Sequence, residues 1–266
     1  MCTRLCTHPW EYYSKPFKII DNLYYIGTKR VSVHLLKTDY GLVIIDSAFP
    51  QTVYQILENI RLLGFEPSNI KAIIHTHAHY DHCGGTKAIK ELTGAKTYLG
   101  SNDITIIEKE HHKTLADYYG MVFYEQFAID YPITDNQKIE YGNTVIKCVS
   151  APGHTCGTMA FFFEVSENGY SYKVGLHGGP GTNTLSRDAM EKYGIAEKNR
   201  EDYLKTLEKL KKIEVDIMLG AHPNQNNTFG KYEKINGISN PFINSSDWPL
   251  FIQTLETDAK KLFLNN

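Results

Sequence analysis

The chain has 266 residues, of which 42% are hydrophobic and 12% aromatic, and its formal net charge is −2. This composition provides the apolar side chains of a sizeable core and excludes a disordered chain. The small net charge argues against nucleic acid or an anionic membrane as partner, and no segment approaches the roughly 18 apolar residues of a membrane span, so a small-molecule substrate is expected.

The first predicted elements form an antiparallel meander between Phe17 and Ser47. Four short β-rich runs, FKII, LYYIGT, VSVHLLKT and LVIIDS, alternate there with turn residues. Apolar residues then recur at helical spacing between Val53 and Leu63, just before Gly64. This pattern predicts one amphipathic helix with a glycine at its C-terminal cap.

Alternating strands and helices are predicted after the meander. A buried strand at 72–74 leads into a polar cluster, and a helix around 88–92 precedes a short strand at 97–99. The later predicted elements are strands at 144–150, 159–165 and 172–176, a helix at 200–212, the strand VDIMLG, a long loop within 222–246 and a terminal helix at 247–263. Strands followed by helices, twice over, predict two mixed sheets packed face to face with helices outside, a four-layer αβ/βα sandwich.

Domain organisation follows from the uniform composition. One domain is expected over residues 1–266, with residues 1–16 as an N-terminal extension. Those first residues lack the apolar stretch of a secretory signal, which favours the cytoplasm; a periplasmic or secreted protein whose signal has been removed would look the same. Five cysteines cannot all pair within one chain, so reduced thiols are expected. The sequence leaves the oligomeric state open.

The segment HTHAHYDHCGG contains the densest group of chemically useful side chains. His77 and His79 are two residues apart, so on an extended chain both imidazoles point to the same side. Asp81 and His82 follow at once in a predicted turn. Four such side chains within six residues can serve more than one metal ion. Imidazole nitrogens with one carboxylate favour zinc, with iron or manganese as alternatives.

Two distant histidines are candidates to complete the site. His154, in APGHTCGT, lies in a turn rich in proline and glycine between two predicted strands. His222, in LGAHPN, directly follows the strand VDIMLG, and Pro223 argues against continuation of that strand. A lone histidine is usually a satisfied core or surface residue. The HAHYDH cluster, with two further histidines after strands, instead indicates a metal site.

Other polar or reactive residues receive structural interpretations. His111 and His112 are expected on a solvated helix face, and Cys83 and Cys156 as small buried residues. The segment FFF at 161–163 is expected in a buried strand. The glycines of GLHGGPG are followed by no Lys-Ser or Lys-Thr pair, which argues against a phosphate-binding loop.

Together these motifs resemble a known family. HTHAHYDHCGG resembles the HxHxDH signature of the metallo-β-lactamase superfamily, and APGHTCGT and GAHP resemble its later histidine motifs. The third subclass of metallo-β-lactamases is the best match, from PFKIIDNLYYIGT to NPFINSSDW, over roughly residues 10–263. The resemblance implies an αβ/βα sandwich that holds two zinc ions. It assigns the first zinc to His77, His79 and His154, and the second to Asp81, His82 and His222.

One region departs from the family pattern. Glyoxalase-type and nuclease relatives place a metal-bridging aspartate after the strand that follows PGHT, whereas this chain reads VGLHGGPG there. The lactamase-like branch is therefore favoured. His177 stands where an aspartate or serine is expected, and glycines and a proline at 178–181 replace the small hydroxyl residues of the family's loop.

The resulting functional hypothesis is a zinc-dependent hydrolase that opens the cyclic amide of a β-lactam by attack of a metal-bound hydroxide. Asp81 is the predicted catalytic residue that orients this nucleophile. His177, Asn224 and Gln225 are the predicted substrate contacts. The alternatives are a related metallo-hydrolase that acts on a lactone, a thioester or another intracellular ester or amide, a diiron redox protein, and a non-catalytic binding scaffold.

Overall fold

The computed structural model describes residues 3–236 and 238–265, and these residues form twelve strands and nine α-helices. Seven strands form the first sheet, in sequence order: β1 (Phe17–Ile20), β2 (Leu23–Tyr25), β3 (His34–Thr38), β4 (Gly41–Ile45), β5 (Ile70–Ile74), β6 (Lys96–Gly100) and β7 (Tyr131–Ile133). Strands β1 to β4 are antiparallel, which confirms the predicted meander. Strands β4 to β7 are parallel.

Five strands form the second sheet, in the spatial order β12-β11-β10-β9-β8. They are β8 (Lys138–Tyr141), β9 (Thr144–Ser150), β10 (Met159–Glu167), β11 (Tyr170–His177) and β12 (Ile217–Gly220). Only the pairing of β12 with β11 is parallel within this described sheet. The predicted pair of mixed sheets is therefore confirmed. Strands β7 and β8 were not predicted, because each is a short, largely exposed edge strand that lacks an apolar run.

The longer helices pack on the outer faces of the two sheets, and the described residues form nine α-helices in all. They are α1 (Arg4–Thr7), α2 (Val53–Leu62), α3 (Tyr80–Cys83), α4 (Thr86–Thr93), α5 (Ile104–Glu108), α6 (Arg187–Tyr193), α7 (Lys198–Leu210), α8 (Thr228–Tyr232) and α9 (Asp247–Asn265). The predicted glycine cap of α2 is confirmed: Gly64 has a φ of +82° and its N–H donates to the carbonyl of Arg61 at 2.8 Å. No described helix has the length and apolarity of a membrane span.

Three apolar clusters lie between the four layers. They form because successive side chains of a strand point to opposite faces of the sheet. In β3, Leu35 lies in the outer cluster next to α2 and α4, whereas Leu36 lies in the cluster between the two sheets. A third cluster packs β10 and β12 against α7 and α9, with Trp248 fully buried. This layering is the predicted αβ/βα sandwich, and it leaves the strand ends free to present polar side chains.

The N-terminal segment packs on the first half of the fold. Leu5 belongs to the outer cluster, and the Gln55 side-chain amide donates to the carbonyl of Pro9 at 2.8 Å. Asn59 Nδ2 likewise donates to the carbonyl of Ser14 at 3.0 Å. Two buried amides on α2 thus hold the chain that precedes β1.

Two predictions about individual residues are corrected, and one is confirmed. Cys83 is buried as expected, but Cys156 is exposed. In its loop the inward positions are occupied by Thr155 and Thr158, whose hydroxyls are 2.7 Å apart, so the side chain between them points out. His111 and His112 lie in a 3₁₀ turn, His111–Thr114, rather than on an α-helix.

Candidate metal centre

The six predicted ligands come together from three separate segments of the chain. His77 and His79 lie in the extended stretch that follows β5, and Asp81 and His82 lie in the single helical turn of α3. This change from extended to helical backbone turns the second pair of side chains away from the first. The loop between β9 and β10 and the loop after β12 contribute His154 and His222, respectively.

Within the described residues the six side chains form two groups of three. In each group the candidate ligand atoms lie within 4.8 Å of one another. The first group is three buried imidazoles, and the second is two imidazoles with a carboxylate: His77, His79 and His154 in the first, and Asp81, His82 and His222 in the second. This is the division that the sequence motifs imply.

In the first group, the ring nitrogens lie close to one another. Nε2 of His77 and Nδ1 of His79 are 3.0 Å apart. The ring of His154 closes the triangle, with centroids 4.8 Å from the His77 ring and 4.5 Å from the His79 ring. Three imidazoles this close together match a ligand set that a divalent ion such as zinc uses in proteins.

The second group adds one carboxylate to two imidazoles. Nε2 of His82 lies 3.3 Å from Nε2 of His222. Oδ2 of Asp81 lies 3.5 Å from the first of these nitrogens and 3.6 Å from the second. The His77 and His82 ring centroids are 4.3 Å apart, so the two groups are direct neighbours. The arrangement fits a pair of adjacent divalent ions.

The outer nitrogens of these rings are held by fixed oxygen acceptors. Nδ1 of His82 donates to Oδ2 of Asp46 at 2.7 Å, and Nδ1 of His154 donates to the carbonyl of Gly181 at 2.7 Å. Nδ1 of His222 donates to the carbonyl of Arg30 at 2.8 Å. Because carboxylate and carbonyl oxygens accept only, these contacts place the proton on Nδ1 and leave Nε2 with a lone pair. Such outer contacts are typical of metal-binding histidines.

Asp46 contacts His82 of the second group directly and His77 of the first group through Thr76. Besides His82, its carboxylate accepts from the Thr76 backbone N–H at 2.8 Å and from the Thr76 hydroxyl at 2.8 Å. The oxygen of that hydroxyl lies 3.0 Å from Nδ1 of His77. Asp46 follows β4 directly with a φ of +64°, a conformation that aspartate tolerates. Sequence reasoning missed it, although an acid at the end of a buried strand was the available signal.

Asp103 joins the two loops that supply the first group. Its buried carboxylate accepts from the Ala78 N–H at 3.0 Å, between two predicted ligands, and from the Thr155 hydroxyl at 2.7 Å, next to a third. The Gly157 N–H also donates to it at 2.7 Å. Burial raises the pKa of Asp103 to about 6. A Cβ at Gly157 would lie 2.4 Å from the Asp103 nitrogen, so only glycine fits this approach.

Burial and neighbouring charges set the two groups apart. Burial, with the adjacent imidazoles, lowers the pKa of His77 and His79 well below the usual range, and burial lowers that of His154 to about 4. Burial also lowers the pKa of His82, but Asp81 and Asp46 outweigh it and the net shift is upward. At neutral pH the first group is therefore a set of neutral donors, whereas the second contains a carboxylate.

The ligands line one wall of a cavity of about 430 Å³. Asn224 and Gln225 also line it, as do the main-chain atoms of residues 178–181. His177 does not line the cavity. It is 1% exposed, and its Nδ1 accepts from the Gly179 N–H at 3.4 Å. Its predicted role as a direct substrate contact is corrected accordingly, because the glycine-rich segment separates it from the cavity.

Comparison with known proteins agrees with this architecture. The sequence model of the metallo-beta-lactamase superfamily matches residues 26–170, more than half of the chain. The chain belongs to the metallo-β-lactamase superfamily. It is a hydrolase of that superfamily, and its structural neighbours include subclass B3 metallo-β-lactamases.

One similar solved structure covers nearly the whole chain. The subclass B3 metallo-β-lactamase BJP-1 of Bradyrhizobium japonicum shares 28% identity and superposes with a TM-score of 0.88, over 98% of this chain and 97% of that one. The probable polyketide biosynthesis zinc-dependent hydrolase PksB of Bacillus subtilis shares 30% identity over 37% of each chain. A hydroxyacylglutathione hydrolase of Rhodospirillum rubrum shares 26% identity over 44% of this chain and 37% of its own length. These two matches span little more than a third of each relative.

Proposed function

We propose that this protein is a zinc-dependent hydrolase that opens the cyclic amide of a β-lactam. The observation that supports this most is the convergence of five imidazoles and one carboxylate into two adjacent groups of three. The similarity to a subclass B3 enzyme over nearly the whole chain supports the choice of substrate class.

The donor chemistry fits two zinc ions. The first would be held by three neutral imidazoles and the second by two imidazoles and a carboxylate: His77, His79 and His154 for the first, Asp81, His82 and His222 for the second. When bound, a pair of such ions supplies an activated water at neutral pH and a Lewis acid for the substrate carbonyl.

Asp81 is the proposed catalytic residue. Burial raises the pKa of its carboxyl, but His82 and His222 outweigh burial, and the net shift is downward. The carboxylate is therefore ionised at neutral pH and can accept a hydrogen bond from the attacking water. Hydrogen bonding from the Tyr119 hydroxyl to this carboxylate also lowers the pKa of Asp81.

The substrate is proposed to lie against the wall formed by residues 178–181. Three of these four residues are glycines, which leaves space for a substrate beside the main chain. Asn224 and Gln225 line the same cavity with amide side chains that can donate and accept. Gln225 Oε1 already accepts from the His222 N–H at 3.2 Å, so that residue also positions a proposed ligand.

A second candidate function keeps the metal centre and changes the substrate. Hydroxyacylglutathione hydrolases are among the curated relatives, and so is a zinc-dependent hydrolase of polyketide biosynthesis. The carbonyl of a thioester or a lactone could be attacked by the same activated water and polarised by the same Lewis acid. The shape of the cavity, rather than the chemistry of the centre, would then decide the substrate.

The decisive experiment measures turnover and metal content in one sample. The protein is purified, stripped with a chelator and reloaded with zinc, and each form is assayed on nitrocefin, a carbapenem, an acyl-homoserine lactone and a glutathione thioester. We expect about two zinc ions per chain and hydrolysis of the β-lactams by the loaded form only. Full activity of the stripped form would contradict the proposal, and hydrolysis of only the thioester or lactone would establish the second candidate.

A further inference from the structure

A second cavity, of about 210 Å³, adjoins the first ligand group. His79 and His154 line this cavity as well as the larger one, so their side chains belong to both. The rest of its lining comes from three segments, 102–113, 155–156 and 194–199. The proposed hydrolysis makes no use of this space.

The outer nitrogen of His79 lacks a partner in the part of the chain that the structure describes. Nδ1 of His79 lies 3.0 Å from Nε2 of His77, but Nε2 of His79 forms no hydrogen bond within residues 3–236 and 238–265. His79 is only 4% exposed, so bulk water has little access to this nitrogen. The outer nitrogens of His82, His154 and His222 each donate to an oxygen. Because metal-binding histidines normally make such a contact, His79 has an unmet requirement for an acceptor.

The hydrogen bonds around His79 place its proton on Nδ1. The Asp46 carboxylate accepts only, so the Thr76 hydroxyl donates to it, and the oxygen of that hydroxyl accepts from Nδ1 of His77. A neutral His77 then has its lone pair on Nε2, which accepts from Nδ1 of His79. A metal ion bound at Nδ1 of His79 leaves the proton on Nε2 instead. The outer nitrogen of this ring is therefore an acceptor in the metal-free protein and a donor in the loaded one.

The other walls of the second cavity have no net charge. Among the described residues of its lining, the carboxylate of Glu110 and the ammonium of Lys113 form an ion pair at 2.6 Å. The buried Asn199 amide already donates to the carbonyl of Gly153 at 3.0 Å. A further amide and three apolar side chains also line it: Asn102, Ile106, Ile195 and Ala196. Such a lining favours a neutral ligand, because a charged one would lose hydration without gaining a counter-charge.

We propose that the second cavity binds a small neutral carbonyl compound whose oxygen accepts a hydrogen bond from Nε2 of His79 when the first group holds a metal ion. The site is separate from the proposed substrate site, and the inference does not depend on which substrate is hydrolysed. Because coupling between two ligands is reciprocal, the carbonyl compound also strengthens metal binding at the first group.

Protection of Cys156 measures occupancy of the second cavity. This exposed thiol lines the cavity, and its modification by methyl methanethiosulfonate is followed by peptide mass mapping of the zinc-loaded protein. We expect N,N-dimethylacetamide, which only accepts hydrogen bonds, to slow the modification about 5-fold, with half-maximal protection at about 1–100 mM. Isobutylammonium, which only donates, should not protect. No protection by the amide, or equal protection by both compounds, would overturn the site. Stronger protection by isobutyrate than by the amide would overturn the neutral ligand.

A variant that fills the cavity tests its location. Ala196 is exposed at the edge of the cavity, and Ala196→Trp adds an indole there. We expect N,N-dimethylacetamide to give this variant no protection, relative to its own rate without the amide. Ala128→Trp, the same change at an exposed alanine that lines neither cavity, is the matched control and should be protected like wild type. Full protection of Ala196→Trp would place the amide elsewhere and overturn the site.

The role of His79 is tested by removing the metal. In the chelator-stripped protein we expect half-maximal protection of Cys156 to need about 5-fold more N,N-dimethylacetamide or higher, the equivalent of one hydrogen bond. Equal protection of the stripped and loaded proteins would overturn the contact with His79. Neither measurement involves turnover. Zinc-dependent protection in a protein that hydrolyses no β-lactam would therefore refute the proposed function and support the second site.

Discussion

The two ligand groups lie side by side, yet the fold builds them differently. The first consists of imidazoles alone and is braced by Asp103, which joins its two loops. The second contains the carboxylate of Asp81, and its ring nitrogen at His82 is braced by Asp46. The four predicted ligands of the HAHYDH segment thus differ in charge environment although few residues separate them. The change from extended chain to the turn of α3 is the cause, because it directs neighbouring side chains to different supports.

This contrast has a chemical consequence. In the first group, protons compete only weakly with a metal ion for the imidazole nitrogens, because burial holds the pKa values of His77 and His79 low. In the second group Asp81 and Asp46 raise the pKa of His82, so protons compete more strongly with a cation for its ring nitrogen. We therefore expect the second ion to be the more readily lost as pH falls.

The largest expected effect comes from removing one ligand of each group. In His77→Ala and His222→Ala we expect hydrolysis to fall about 10³-fold, because several kcal/mol of transition-state stabilisation depend on each ion. Each variant should retain about one zinc ion per chain, measured by elemental analysis. His112→Ala, a change at an exposed histidine, is the control. Loss of both ions in both variants would show that the groups are not independent.

An intermediate effect is expected from the two supporting carboxylates. Asp46→Asn should weaken zinc binding about 10- to 100-fold, mainly at the second group, because an amide cannot replace the acceptor of the His82 N–H without reorientation. Asp103→Asn should act mainly on the first group. Cobalt substitution distinguishes them, since the visible spectrum reports the geometry of each site during titration. Identical spectra and identical titrations for the two variants would contradict separate supports.

The smallest expected effect concerns a buried histidine outside both groups. Burial lowers the pKa of His34 from 6.5 to about 4 in the folded protein. The unfolded chain therefore binds more protons in this range, and stability is lost as pH falls from about 6.5 toward 4. This background must be known before acid effects on the ligand groups are compared.

Unfolding by urea at pH 7 and pH 5 measures that background. For the metal-free protein we expect His34 to account for about 2 kcal/mol of the lost stability, from the difference between its two pKa values. His34→Gln removes an imidazole whose Nε2 has no hydrogen-bond partner and should reduce the acid loss by that amount. An unchanged pH dependence would show that His34 does not titrate in this range.

Much of this protein was predictable from local sequence patterns. The meander, the alternating strands and helices after it, and helix α2 were predicted from apolar periodicity, which depends on neighbouring residues only. The HAHYDH segment and the two later histidines after strands carried the metal-site prediction in the same way. The structure brings those six side chains together, as expected from strand ends that meet at one edge of a sandwich. The edge strands β7 and β8 lacked such a pattern and were missed.

Only the tertiary structure decided what surrounds the ligands. The acceptors of the three Nδ1 protons lie 36 residues from His82, 27 from His154 and 192 from His222. No local pattern encodes such contacts, because each depends on how separate elements pack and on which way one ring turns. The burial of His177 behind the glycine segment has the same origin. Spacing along the chain therefore determined which residues can bind metal, and packing determined which nitrogen is free to do so.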